Sequence, residues 1–391
     1  MKIAVTFFNN QNKIIKRDKI NKIKKSMGNI DKIGDISNIK VKYRVICLVV
    51  CTCILLSFSS TVERLIFLTT NYSEIENILI SQNDILAMNA MYNVNNYLFE
   101  EKNEQIEEEI SIEYVALDEL VEEFNSQAVF SGLKNENVNI ISENNNYQRL
   151  NVAGVEIVNY STNRNIDFEG LLKETSIELN KKQDEILIYT THTSESYNNS
   201  EKYQFEYNSP RRSLDGNYNM LGIASEFASN LNSKNISSIF SLTPHDYGTY
   251  NSAYMNSRKT ATQLLNENEN IKMVIDVHRD AIEDLNFAPK VNLKGYNVAG
   301  LMFVMGIGYN EENPYYMENL KLALQIQILA NKIYPGLFRP MIIRNSVYNQ
   351  DLREKSFLIE VGASGNTIDE AKLSTRCLAN LLNILFKDWF G

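Results

Sequence analysis

Proline is scarce in this chain, with six among 391 residues, and sixteen glycines complete a composition that excludes collagen-like and proline-rich repeat architectures. Cysteine is scarcer: of four, Cys47, Cys51 and Cys53 sit together in one apolar stretch, so Cys377 stands alone in the remainder and no disulfide framework is available there. The three clustered thiols read as apolar residues rather than a metal or lipidation site, and Cys377, in LSTRCLANLLNIL, is expected to pack in the core. No glycine-rich phosphate loop and no internal repeat is present, which leaves nucleotide binding without support. Beyond residue 70 no apolar run is long enough for a multi-span membrane protein. The chain is 44% hydrophobic and 22% charged, so it can build one large or two ordinary domains with real cores.

Charge is distributed unevenly. Residues 1–44 hold 12 Lys or Arg against 3 Asp or Glu, leaving 27 against 45 in the rest, a net of −18. An acidic body argues against a nucleic-acid-binding surface. Directly after Lys40, Lys42 and Arg44 comes the uncharged segment Val45 to Thr61, VICLVVCTCILLSFSST, a candidate transmembrane anchor. A secretory signal would also pair a basic region with an apolar one. Ser57-Phe58-Ser59 and Ser59-Ser60-Thr61 are weak cleavage sites and the basic leader is long, which favours an uncleaved anchor. The basic excess then keeps residues 1–44 in the cytoplasm and places the body outside.

Four regions follow: a basic cytoplasmic amino terminus (1–44), the anchor (45–61), a membrane-proximal region and linker (62–183) and a catalytic domain (184–391). The second of these boundaries opens a mainly helical or irregular stretch, whose acidic run from Glu100 to Glu109 reads as a solvated face. LKNENVNIISENNNYQRL (133–150) is rich in Asn and reads as a linker or long surface loop. From Asp184 onward, short apolar runs alternate with amphipathic ones. EILIY, ISSIFSL, KMVIDV, VAGLMFVMGIG, RPMIIR and SFLIEV are expected strands. NMLGIASEFASNL, YMNSRKTATQLL, a segment from Asn313-Pro314 to about Tyr334 and the carboxyl-terminal stretch are expected helices. Pro314 suits a first helical position after an Asn cap, and Thr367-Ile368-Asp369-Glu370 has the form of a capping box. Such alternation implies an α/β fold, a three-layer sandwich around a mostly parallel or mixed sheet. Sites in such folds lie beyond the carboxyl ends of the strands.

Polar groups gather at those ends. EILIY runs into Thr190-Thr191-His192-Thr193-Ser194-Glu195, which puts a histidine and a carboxylate three residues apart; KMVIDV runs into His278-Arg279-Asp280; SFLIEV carries Glu360. Two imidazoles and a carboxylate are a catalytic zinc set with a fourth position open for water, and a further carboxylate can move the proton that such chemistry requires. A lone strand-end histidine is more often a hydrogen-bonded structural residue, and HxxE arises often by chance. The chain has only three histidines, however, and His192 and His278 both follow strands closely.

With THTSESY (191–197), HDYGTYNSAYMNSR (245–258), VIDVHRDAI (274–282), YNQDL (348–352) and LIEVGASGNTIDEA (358–371), the sequence resembles the stage II sporulation protein P family over most of 184–391. The basic segment and single anchor fit the same family. The resemblance implies a zinc-dependent N-acetylmuramoyl-L-alanine amidase that also cuts peptide cross-links of peptidoglycan during forespore engulfment. Its body would lie between the mother-cell and forespore membranes, with stage II sporulation proteins D and M as partners. The family's metal histidines fall on His192 and His278 and its essential late glutamate on Glu360, the expected general base and acid. Glu195 is the expected third ligand, with Asp215, in SLDGNYNML, as the alternative. The family's run HTHTSE departs here, because Thr190 takes the place of its first histidine. His245 either orients substrate or braces the loop after ISSIFSLTP, and Arg279, Arg344 and Asn349 are further candidate substrate-binding residues.

Two other readings share these residues. A zinc carboxypeptidase acting on free peptides would hold a terminal carboxylate through Arg279, Arg344 or Arg353. A non-catalytic wall-binding scaffold would have lost activity through Thr190, against which stands the joint presence of His192, Glu195, His278 and Glu360.

Overall fold

The computed structural model describes residues 113–121, 129–130, 133, 138–173, 185–200, 203, 211–213, 215–246, 250–309 and 312–387. The first half of this region contains strands β1 (Val138–Glu143), β2 (Gln148–Val152) and β3 (Val155–Asn159), helix α1 (Phe168–Lys173), strand β4 (Glu185–Tyr189), helix α2 (Met220–Asn232) and strand β5 (Ser238–Phe240). Then come helix α3 (Ala253–Glu267), strands β6 (Ile271–Asp280), β7 (Lys290–Leu293), β8 (Tyr296–Ala299) and β9 (Leu301–Gly306), and helix α4 (Tyr316–Ile333). Strands β10 (Met341–Arg344) and β11 (Ser356–Ala363) and helix α5 (Ile368–Lys387) complete the order.

Nine of these strands form one mixed sheet in the order β1-β2-β3-β10-β9-β11-β6-β4-β5, and β7 and β8 form a separate hairpin. Strands β11, β6, β4 and β5 run parallel, so their carboxyl ends share one edge. Strand β9 runs antiparallel to β11, while β10 and β3 follow the direction of β9. Alternation sorts the side chains. Ile186 and Ile188 of β4, Met273, Ile275 and Val277 of β6, and Phe357, Ile359 and Val361 of β11 enter the main core with α2, α4 and α5. On the opposite face, Leu187, Tyr189 and Val274 pack with Ala261, Leu264 and Leu265 of α3. The result is the expected α/β layering around a mixed sheet.

Several expectations shift. The Asn-rich stretch 133–150 is not a linker along its length: it supplies β1 and most of β2, paired antiparallel. Its polar composition reflects an edge strand that exposes most of its residues to water. Because β3 pairs in parallel with β10, the sheet extends upstream of residue 184, and the described residues all fall within the compact unit Gln105–Gly391. VAGLMFVMGIG divides at Gly300 into β8 and β9, which belong to different sheets; there Gly300 N donates to Pro289 O at 2.7 Å. Helix α4 begins after Pro314, at Tyr316, although Asn313 Oδ1 does accept from Tyr315 N at 3.0 Å as a capping side chain would. The anchor and the acidic run lie outside the described residues, among which no helix is long and apolar enough to cross a membrane.

The capping box forms as read. Glu370 N donates to Thr367 Oγ1 at 3.3 Å and Thr367 N to Glu370 Oε2 at 3.2 Å, which fixes the start of α5. Cys377 is fully buried in the core.

Near the end of β11 the strand makes a bulge after Glu360, and Gly362 there has φ +69, a region costly for residues with a Cβ. A Cβ at this position would lie 2.8 Å from Asn366 Oδ1, the atom that accepts from Ala363 N. Gly362→Ala should therefore destabilise the fold by about 1–3 kcal/mol, read as a lower midpoint in urea unfolding with an unchanged slope. An unchanged midpoint would mean that the bulge relaxes freely.

Candidate functional site

The parallel pairing of β6 and β11 places Glu360 directly beside His278, both on the face opposite the main core. Strand β4 lies on the other side of β6 and delivers the loop 190–197 to the same edge. There the His192 ring meets His278 edge to face with centroids 5.3 Å apart. Tyr250 stacks on His192 at 4.5 Å and Tyr254 on His278 at 6.1 Å, so two aromatic rings from the start of α3 and the turn before it wall the site.

Three polar atoms in this cluster, His192 Nδ1, His278 Nε2 and Glu360 Oε2, are buried without a hydrogen-bond partner among the described residues. His278 Nε2 lies 2.9 Å from Asp276 Oδ1, an ion pair of poor hydrogen-bond alignment. Burial, reinforced by His278, lowers the pKa of His192 to about 4. Burial also acts to lower His278, but Asp276, Glu360 and Glu195 outweigh it and raise the group to about 9. Desolvation carries Glu360 up to about 8, against the pull of His278 and Arg279. The cluster thus holds one imidazole that prefers to be neutral and one that prefers to be charged, beside a carboxyl poised near neutrality.

Glu195 is buried but turned toward Arg279, with Nη1 to Oε2 at 3.9 Å, and burial raises its pKa. Asp215 Oδ1 accepts from Asn217 N at 2.9 Å and from Asn217 Nδ2 at 2.6 Å, which commits it to the turn before α2. Among the described residues no three His, Cys, Asp or Glu side chains form a group able to hold a metal. His192 nevertheless suits a metal in donor chemistry, since burial keeps it neutral with Nδ1 unpartnered; His278, whose Nε2 faces Asp276 at 2.9 Å, would have to give up its proton to join it.

The expected substrate-binding residues are spread out and mostly occupied. His245 uses both ring nitrogens inside the protein, Nδ1 with Thr190 O at 2.7 Å and Nε2 with Thr260 Oγ1 at 3.0 Å, and so braces the end of β4 against α3. Arg279 donates to Ser196 O, Ser364 Oγ and Arg211 O and is sealed from solvent. Asn349 Nδ2 donates to Tyr254 O and Ser257 Oγ, holding the start of α3. Arg344 is exposed at the end of β10 with its guanidinium 5.0 Å from the Tyr160 ring centre, and two strands separate β10 from β6.

Two acids that sequence reasoning passed over organise the loop. Asp276 accepts from Thr191 N at 2.9 Å and Thr191 Oγ1 at 2.6 Å; Asp246 accepts from Ser194 N at 3.0 Å and Ser194 Oγ at 2.6 Å, and from Thr193 Oγ1. The period of a strand was a signal for Asp276, since residues 276 and 278 of β6 must share a face. Asp246, adjacent to His245, carried no such signal.

Because both His245 nitrogens are spent, His245→Ala should lower stability by about 2–3 kcal/mol through two lost hydrogen bonds and a buried carbonyl left unpaired. Denaturant unfolding reads that loss. A variant as stable as wild type that binds substrate more weakly would instead make His245 a substrate contact.

Comparison with known proteins bears on this arrangement. The family model for stage II sporulation protein P matches residues 73–383. The stage II sporulation protein P of Bacillus subtilis (strain 168) is 27% identical over 214 residues, covering 52% of this chain and 51% of that protein, so the chain spans about half the length of the curated relative it matches. Among solved structures, the CwlD amidase of Clostridioides difficile in complex with the GerS lipoprotein aligns at 17% identity and a TM-score of 0.33, covering 51% of this chain and 96% of the other. The N-acetylmuramoyl-L-alanine amidase AmiC2 of Nostoc punctiforme aligns at 10% identity and a TM-score of 0.32, covering 52% and 96%. The family match extends over well more than half of the sequence: this chain belongs to the stage II sporulation protein P family.

Proposed function

We propose that the protein is a zinc-dependent peptidoglycan hydrolase that cleaves the N-acetylmuramoyl–L-alanine amide, and peptide cross-links as well, during sporulation. The observation that carries this reading is the set of three buried, unpartnered atoms on His192, His278 and Glu360 at one edge of the sheet. Buried polar atoms are normally satisfied, and three such exceptions on two imidazoles and a carboxylate suit a site completed by metal, water and substrate. His192 and His278 would hold the zinc, and Glu195 would serve as the third ligand only after turning away from Arg279. Zinc, when bound, supplies Lewis acidity toward a carbonyl oxygen and a water acidified to near neutrality.

The remaining chemistry belongs to this chain. Glu360 accepts the proton of the attacking water and hands it to the departing L-alanine nitrogen, leaving a carboxyl on the muramoyl lactyl group and a free amine on the peptide. Its apolar strand keeps the carboxyl near the pKa that such a shuttle needs. Tyr250 and Tyr254 exclude water from the histidine rings. A carboxypeptidase is less well supported, since Arg279 is engaged on three oxygens and Arg344 stands two strands away.

Incubating the full chain with purified peptidoglycan and identifying the released ends by mass spectrometry tests the reading. New lactyl carboxyls and free L-alanine amines should appear, and a zinc chelator should abolish them. Glu360→Gln should keep its zinc and its affinity for peptidoglycan while turning over roughly a hundred- to ten-thousand-fold more slowly. Cleavage at near wild-type rate by that variant would move the proton-transfer role to another residue.

The same reading places the body outside the cytoplasmic membrane, anchored by Val45–Thr61, in the space between mother cell and forespore, with stage II sporulation proteins D and M as partners. Externally added protease should reach a tag placed after Gly391 and spare one placed before Met1. The reverse pattern would invert the topology.

A further inference from the structure

Two arginines stand close to the histidines, and they differ in what they can still do. Arg279 is sealed and engaged along its guanidinium. Arg212 is half-buried, and only its Nη1 is occupied, by Ser194 Oγ at 3.0 Å and Asp246 Oδ2 at 3.3 Å. Its Nε and Nη2 make no hydrogen bond among the described residues, and two adjacent donors in one plane are the geometry that grips a carboxylate through both oxygens. Asp246 is fully buried and itself held by Ser194, so it fixes the arginine without presenting an exposed acid that would repel an anion.

The position is as telling as the chemistry. The Arg212 guanidinium carbon lies 4.5 Å from the centre of the Tyr250 ring, whose centre is 4.5 Å from that of His192. The guanidinium is therefore at most twice that distance from the imidazole. In a peptidoglycan stem the scissile nitrogen belongs to L-alanine, and the next residue, a glutamate joined onward through its side chain, keeps a free α-carboxylate. An extended chain carries that carboxylate about 6 Å from the scissile nitrogen, and a hydrogen bond adds about 3 Å. A stem whose amide lies at the histidines thus brings its first free carboxylate within reach of Arg212.

We propose that Arg212 binds the α-carboxylate of the second stem-peptide residue and makes the enzyme selective for stems that carry this acid over stems that carry a carboxamide there. This rests on the amidase reading and adds a specificity determinant to it. The full chain, loaded with zinc, is assayed on two disaccharide peptides identical except for D-isoglutamate or D-isoglutamine at the second position. Wild type should favour the acid by roughly ten- to a hundred-fold in kcat/KM, the worth of one charge-assisted pair, chiefly through KM, and the preference should shrink as salt is added. Arg212→Gln should remove the preference, and Arg212→Lys should retain part of it. Thermal unfolding checks that the variants are folded; should Arg212→Gln not fold, the lysine variant and the salt dependence decide. Equal cleavage of both compounds by wild type, or a preference that survives in folded Arg212→Gln, overturns the assignment and leaves the amidase reading intact. No cleavage of either compound by wild type overturns the amidase reading and this inference with it.

Discussion

The parallel register of β6 against β11 is the constraint on which the rest of the site depends. His278 and Glu360 are paired residues, so their side chains must emerge on the same face of neighbouring strands. A slip of one residue would send Glu360 into the main core and leave His278 without its neighbour. What opposes the one-residue slip is apolar: Met273, Ile275 and Val277 on one strand and Phe357, Ile359 and Val361 on the other all enter the same core, and shifting either strand by one residue would turn its set out of it. The chemistry of the face toward α3 is thereby fixed by the packing of the face toward α2 and α5.

Register alone does not place His192, which belongs to a loop. That loop is held by buried charges aimed at its backbone. Asp276 takes the Thr191 amide, Asp246 takes the Ser194 amide, and Arg279 donates to the carbonyl of Ser196, so donors and acceptors of one short segment are met by side chains from β6 and from the loop after β5. A charged partner makes such hydrogen bonds stronger than neutral ones, and removing it would strand a buried group. His245 joins the scheme from below by bonding the carbonyl of Thr190. The loop therefore behaves as part of the scaffold, and its geometry is set before any ligand arrives.

This division explains what was legible in the sequence. Strands with apolar runs and the capping box at Thr367 follow from periodicity, and periodicity is local; the gathering of His192, His278 and Glu360 was legible too, although β6 and β11 run on to Asp280 and Ala363, so His278 and Glu360 lie within strands and not beyond their ends. The Asn-rich segment 133–150 was misleading because an exposed edge strand needs no apolar face, so β1 has the composition of a loop. Gly300 inside an apolar run ended one strand and began another because the chain crosses from hairpin to sheet there, a tertiary event with no local mark beyond the glycine. The roles of His245, Arg279 and Asn349 were illegible for the same reason. Each is a polar residue near the site in sequence motifs, and only the positions of Thr190, Ser196 and Tyr254 show that their hydrogen-bonding capacity is already used within the protein.

Against this background of spent donors and acceptors, the unspent ones acquire meaning. The protein satisfies Asp246, Asp276, His245 and Arg279 thoroughly, in a region where every unpaired group costs about 1–3 kcal/mol, yet it leaves one atom each on His192, His278 and Glu360 without a partner. Neighbouring hydroxyls such as Thr191 and Ser257 are bonded to each other, so suitable partners exist in the same layer. Thr190 Oγ1, Gln327 Oε1 and Asn380 Oδ1 are also buried without a partner among the described residues, so what sets the three apart is that two imidazoles and a carboxyl converge at one place, through the pairing of β6 with β11 and the braced loop after β4. Local instability is tolerated where the completed hydrogen bonds or metal bonds come from outside the chain.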